Sequence, residues 1–217
     1  MTAMEASLSS ANARSALGVL DALCSALIAA EDELNTLDRA IGDGDHGANL
    51  ARAARSLTAL RPELMALSLN EAITRAGRAV VMSVGGASGP LYGTLLMDMG
   101  KVLPGDPTQS DWAAAFSAGV AGVAKRGRSQ EGDKTMLDVL APASRTFAEN
   151  AAESAAAAVS AMCDAAAHGL DGSRGLRAKR GRAAFVGERT VGQDDPGARS
   201  ALLCIRVVAD FISGKTE

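Results

Sequence analysis

Ser68-Leu69-Asn70-Glu71-Ala72-Ile73-Thr74-Arg75-Ala76-Gly77-Arg78-Ala79-Val80 reads as a helix that carries its own start signal. Serine followed three residues later by glutamate forms a capping box, in which the two side chains satisfy the first free backbone N–H groups. Ile73, Ala76 and Val80 then recur at three- and four-residue intervals and draw one apolar stripe along one side. The same spacing governs Leu20, Leu23 and Leu27, while strand-like alternation is hard to find anywhere. Ser110-Asp111 opens another segment, and Gly100, Gly127 and Gly214 fall near helix ends. The reading is all-α, with eight helices at about 13–37, 49–60, 69–84, 89–103, 111–126, 134–149, 152–169 and 197–213. Short connections make consecutive helices antiparallel neighbours in an up-and-down bundle.

Bulk properties narrow the function. A chain of 217 residues can bury a substantial core as one domain, taken here as 13–217 behind a flexible tail over 1–12. A net charge of -3, with no basic tail, argues against direct nucleic-acid binding. The one basic cluster, Arg174, Arg177, Lys179, Arg180 and Arg182, has the size of a pocket for a single polyphosphate. Cys24, Cys163 and Cys204 are odd in number and set among apolar residues, which suits buried thiols in a reducing compartment. With neither a signal-peptide pattern nor an apolar run of about 18 residues, the expectation is a soluble cytoplasmic protein with no membrane contact.

Chemistry concentrates in Asp38-Arg39-Ala40-Ile41-Gly42-Asp43-Gly44-Asp45-His46-Gly47-Ala48-Asn49, which holds three carboxylates, three glycines, a histidine and an amide. Aspartates this close repel one another unless a cation lies between them, and hard oxygen ligands with open positions suit Mg²⁺. The run from His46 leads into a helix whose free N–H groups and positive dipole end favour an anion, so metal and phosphate sites would be adjacent. Helix capping by the aspartates, with His46 a solvated loop residue, is the plainer alternative.

Three further glycine-marked segments, Gly85–Gly93, Gly127–Met136 and Arg180–Gly197, also fall between helices. Alternate loops of such a bundle share an end, and the reading brings the first and second segments together by having Gly85-Gly86 interrupt a helix. Ser88 is a candidate N-cap and Pro90 lies in a first turn, so the segment reads either as a tight junction or as a close approach to a ligand. It matches neither common glycine-rich phosphate-loop pattern. Gly132-Asp133-Lys134-Thr135-Met136 could clamp an adenine against Met136 while Thr135 caps a helix; methionine at helical spacing is equally a core residue. Arg182 has the fork for phosphate oxygens, and Asp195-Pro196-Gly197 could close a lid or bond a nucleotide sugar. His168, just before Gly169, reads as a helix C-terminal dipole partner.

Taken together, Asp38 to Asn49, Gly85-Gly86-Ala87-Ser88-Gly89-Pro90-Leu91-Tyr92-Gly93-Thr94, Gly132 to Met136 and Gly187 to Gly197 resemble the nucleotide-binding L subunit of bacterial dihydroxyacetone kinases, in the same order from about residue 30 onward. The resemblance implies a closed barrel of eight antiparallel helices holding ADP or ATP and two Mg²⁺ ions at one end. It implies that Asp38, Asp43 and Asp45 are metal ligands, and that His46, Gly47, Ala48 and Asn49 surround the phosphates. Ala87, Ser88, Gly127 and Met136 would touch the nucleotide, with Arg182 as the catalytic cation and Asp195, Pro196 and Gly197 closing the pocket. In that family the keto-sugar is held covalently on a histidine of a separate K subunit or domain, so catalysis here should need a partner chain. The phosphoryl source is either ATP or a phosphotransferase-system protein, and a homodimer is compatible with the pattern. Gln193-Asp194 stands where many relatives carry His-Gln, a departure in the lid turn. Two rival readings keep the fold: a nucleotide-charged module that docks on a transcription regulator, and a kinase with a different acceptor, such as a fatty acid.

Overall fold

The computed structural model describes residues 3–215, with side chains from residue 15 onward. Its helices are α1 (Ala3–Ala29), α2 (Glu31–Ile41), α3 (His46–Leu64), α4 (Leu69–Ser83), α5 (Ser88–Val102), α6 (Gln109–Gly127), α7 (Leu137–Glu149), α8 (Ala155–Arg174) and α9 (Pro196–Ile212), with short 3-10 turns at Arg182–Phe185 and Gly187–Thr190. No strand occurs among the described residues. Residues 1 and 2 of the expected tail lie outside them, and helical backbone already begins at Ala3.

Among the described residues nine helices replace the expected eight because the first one breaks at Ala30, whose φ of -86° and ψ of 5° leave the helical range. Glu31, Asp32 and Glu33 fill the first turn that follows, where negative charge complements a new helix N-terminus. In the barrel, α1 and α2 act as one broken stave. Each stave packs against its neighbours in chain order from α3 to α9, and α9 returns to pack on α1, so the ring of eight staves closes.

The capping box at Ser68 forms as read, with both Ser68 and Glu71 side chains engaged, and starts α4 at Leu69. Other ends differ from expectation. α3 starts at His46 rather than at residue 49, and α8 runs on to Arg174. α7 begins only at Leu137, because Gly132 and Lys134 take φ values of 89° and 58° that no helix accommodates.

Small residues set how closely the staves approach. An ideal Cβ on Gly77 of α4 would lie 2.7 Å from the carbonyl oxygen of Gly93 on α5, and one on Gly119 of α6 would lie 2.8 Å from that of Leu95. The largest core cluster is built from α5 to α9 around Val139, Leu140, Ala143, Ala166, Ala201 and Leu202. A second gathers Cys24, Ala54, Leu57 and Val80 from α1, α3 and α4. Tyr92 packs against both. The three cysteines are free thiols.

Candidate functional site

The connections α2–α3, α4–α5, α6–α7 and α8–α9 are separated by two staves each, so an up-and-down chain delivers all four to one end. Gly85-Gly86 therefore does not interrupt a helix, as the sequence reading required. It sits in the short connection between α4 and α5, and the segments meet without that device. Between them lies a cleft of about 480 Å³.

Asp38, Asp43 and Asp45 stand on one wall, each with a carboxylate oxygen within 4.8 Å of the others. Asp38 is buried at the end of α2, and its Oδ2 accepts N–H groups from Gly44 (2.9 Å), Asp45 (2.9 Å) and His46 (3.2 Å). The plainer capping role is thus real for one oxygen of Asp38. It does not account for the other two residues, since Asp45 sits at the N-cap of α3 without a side-chain cap bond. A Cβ on Gly42 would lie 2.1 Å from Asp38 Oδ1, so only glycine lets the carboxylate turn in at this point. Arg182 reaches across and pairs with Asp43, Nη1 to Oδ2 at 3.0 Å.

His46 is not a solvated loop residue. It is buried, with Nδ1 3.0 Å from Ser88 Oγ and Nε2 2.9 Å from Ser200 Oγ. Ser200 also donates to the Gly197 carbonyl at 3.0 Å and lies 2.7 Å from the Tyr92 hydroxyl. With the Ser200 proton spent on Gly197, its oxygen accepts from both Tyr92 and His46, which places the imidazole proton on Nε2 and lets Nδ1 accept from Ser88. Burial lowers the His46 pKa, against the opposing pull of Asp38 and Asp45, and favours this neutral ring. The network ties α3, α5 and α9 together at the floor of the cleft.

Asn49, Ala87, Ser88, Gly127, Met136, Asp195, Pro196 and Gly197 also line the cleft. Met136 serves in the core as well, being 4 % exposed. Gly47 and Ala48 are the exceptions. A Cβ on Gly47 would lie 2.0 Å from the Glu31 carbonyl oxygen, and the Ala48 N–H donates to Asn35 Oδ1 at 3.0 Å. Both therefore face α2, where they set how tightly α3 packs. Asp195 caps α9 by accepting the Ala198 N–H at 2.8 Å. Burial pushes its carboxyl up to about 7, although Ala198 and Lys134 both favour the charged form. His168 is exposed on α8 but well short of its end, because the helix runs on through Gly169 to Arg174, so it is not the C-terminal dipole partner expected.

Sequence reasoning missed the brace behind the cleft. Lys134 is 1 % exposed, and its Nζ donates to the carbonyls of Ser173 and Arg174 at 2.9 Å each, closing the C-terminus of α8. Desolvation lowers its pKa, while Asp195 and Asp194 support the charge. Asp194, half of the Gln193-Asp194 departure, makes a two-pronged bond to Arg174 at 2.7 and 3.1 Å. Asp138 accepts the N–H groups of Gly132 (2.6 Å) and Thr135 (2.7 Å) and fixes the turn before α7. A lysine between Asp133 and Thr135 in a turn gives no sign of its burial, and no spacing rule reads it.

Residues 40–210 match the model of the DAK2 domain. The ADP-binding subunit DhaL of PEP-dependent dihydroxyacetone kinase 1 from Listeria innocua is 37 % identical over 171 residues, 78 % of this chain and 82 % of that protein. The corresponding DhaL subunit of Escherichia coli is 32 % identical, over 86 % of this chain and 91 % of the relative. D-erythrulose kinase of Mycolicibacterium smegmatis is 36 % identical across 95 % of this chain, which spans 37 % of that longer protein. Among solved structures, the dihydroxyacetone kinase of C. freundii superposes with a TM-score of 0.71 at 28 % identity, covering 89 % of this chain and 33 % of that one. An all-α barrel, the four convergent loops and a domain match over most of the length agree: the chain belongs to the DAK2 domain family.

Proposed function

We propose that residues 13–217 form the nucleotide-binding subunit of a two-component kinase, which holds ADP or ATP with two Mg²⁺ ions while a separate K subunit presents dihydroxyacetone or a related short keto-sugar. The observation that carries this is the placement of three carboxylates, with oxygens within 4.8 Å of one another, beside the N-terminus of α3 on the wall of the four-loop cleft. The donor set fits a hard divalent cation: oxygen ligands only, no thiol or free imidazole among them, and room in the cleft for phosphate oxygens to complete the shell.

Bound magnesium would neutralise phosphate charge and hold the terminal groups in line for transfer. The chain's own residues supply the rest. Asp38 is held in place by three backbone N–H groups, so one of its oxygens remains for the metal. Arg182, already paired with Asp43, is within reach of the same charge and would share it with the developing transition state. The neutral His46 keeps Ser88 and α9 in register instead of exchanging protons with substrate. Neither described histidine is available to hold a keto-sugar in the cleft, since His46 is bonded at both nitrogens and His168 is exposed on α8. That supports a partner chain for the acceptor. Three free thiols suit a cytoplasmic location. The PEP-dependent relatives support a phosphotransferase protein as phosphoryl donor, with ADP kept as a resident coenzyme.

Replacing Asp43 or Asp45 by alanine should abolish Mg-nucleotide binding and lower turnover with a working K subunit by more than about 100-fold, beyond the loss typical of residues behind a metal ligand. Unchanged turnover would overturn the assignment. Exchange of bound ADP against labelled ATP separates the two phosphoryl sources: slow exchange supports recharging in place, and rapid exchange supports direct use of ATP.

A further inference from the structure

We infer that Arg180 is a second arginine for the nucleotide's terminal phosphate, and that Asp133 is the positioning residue that aims it. This rests on the nucleotide reading above and adds two residues to it.

Arg180 lines the cleft together with Arg182, one glycine away. The two guanidinium groups are committed differently. Arg182 is drawn onto the carboxylate cluster through Asp43. Arg180 is instead held from behind: its Nε donates to Asp133 Oδ2 at 3.3 Å. A guanidinium gripped at Nε keeps the four hydrogens of its Nη groups for another acceptor, and their planar fork matches phosphate oxygens.

Asp133 is well suited to aim rather than to bind. It is 3 % exposed and is not among the residues that line the cleft. Its carboxylate accepts the Gln130 N–H at 3.1 Å, which fixes it to its own turn. Its backbone carbonyl accepts the Lys179 N–H at 3.0 Å, and Lys179 Nζ donates to the Gly132 carbonyl at 2.8 Å while standing 3.6 Å from Asp133 Oδ1. The turn before α7 thus grips the α8–α9 connection at residues 179 and 180, just ahead of Gly181, whose φ of 63° bends the chain back toward the cleft. Two cations and one buried carboxylate leave a net positive group there, and its Arg180 lines the same cleft as the three aspartates. An anion with metal on one side would meet Arg180 on the other.

The test is the dissociation constant of the full chain for ADP and for AMP, with Mg²⁺ present, in wild type, Arg180→Gln, Arg180→Lys, Asp133→Asn and the Arg180→Gln/Asp133→Asn double variant. Losing a charge-assisted bond to a phosphate should weaken ADP by about tenfold or more in Arg180→Gln, with a smaller effect on AMP and partial rescue in Arg180→Lys. Asp133→Asn should give the same selective loss, and the double variant should bind no worse than Arg180→Gln alone. A merely structural Asp133 would weaken ADP and AMP alike, and its loss would multiply with that of Arg180. ADP affinity unchanged in Arg180→Gln, or multiplying losses, overturns the inference and leaves the nucleotide reading standing. Failure of the wild type to bind ADP at all overturns both. Arg180 is half exposed, so its variants carry the test even where Asp133→Asn lowers the melting temperature.

Discussion

At the residue scale, burial changes how side chains of the cleft titrate. Asp195 is the clearest case. Its carboxyl is pushed from 3.8 up to about 7 by burial, so between those values the folded chain keeps a proton that the unfolded chain has released. Its contribution to stability is complete below about pH 4 and is lost as the pH rises through the folded value. Asparagine can still cap α9 but does not titrate. Asp195→Asn should therefore gain in melting temperature relative to wild type between about pH 5 and about pH 8; an unchanged difference would contradict the burial argument. Thr94 gives a second test. Its hydroxyl is buried on α5 with no hydrogen-bond partner, a desolvation cost that Thr94→Val removes at nearly constant shape. Denaturant unfolding should show the variant at least as stable as wild type and up to about 1 kcal/mol more so.

The twelve residues from Asp38 to Asn49 announced their chemistry because carboxylates, glycines and a histidine lie within one turn and one helix start. His46 was legible as a site residue, but its partners were not, since Ser200 is 154 positions away and only the closed ring brings α9 to α3. Lys134 was illegible for a related reason: it caps carbonyls of a helix 39 and 40 residues downstream.

At the scale of elements, helix content was readable because apolar spacing is local, whereas helix ends were set by contacts that spacing does not encode. Ala30 breaks a stave that the leucine pattern runs straight through, and the turn at residues 132–134 delays α7 by three residues. Glycine inside these helices carries two opposite meanings. On Gly93 a Cβ would come within 2.3 Å of Val81 Cγ2 and 2.7 Å of the Gly77 carbonyl oxygen, so the α4–α5 interface has no room for it. Gly172 on α8 has open space around its Cβ position. Alanine favours a helix over glycine by about 1 kcal/mol, so Gly172→Ala should stabilise by about 0.5–1 kcal/mol. Gly93→Ala should destabilise by about 1–3 kcal/mol, because overpacking against backbone outweighs the propensity gain. Urea titrations of both variants check the pair, and equal signs would mean that the close approach of α4 and α5 is not maintained in solution.

At the scale of the whole molecule, the barrel converts four separated sequence blocks into one site. An even number of staves between successive loops is sufficient: two staves carry the chain away and back, and each return adds a wall to the cleft. The wall from α2–α3 is acidic, the wall from α8–α9 carries Arg180 and Arg182 beside Asp195, and α4–α5 and α6–α7 supply small and apolar surface through Ala87, Pro90, Leu91, Gly127 and Met136, with Arg126 at the end of α6. Such a division suits a ligand with an apolar ring at one end and a metal-bound polyphosphate at the other. Native mass spectrometry of the intact chain with ADP and Mg²⁺, repeated after EDTA, tests that claim most directly. One ADP per chain together with magnesium is expected, both lost on chelation; a chain that carries neither in excess magnesium would contradict the nucleotide reading.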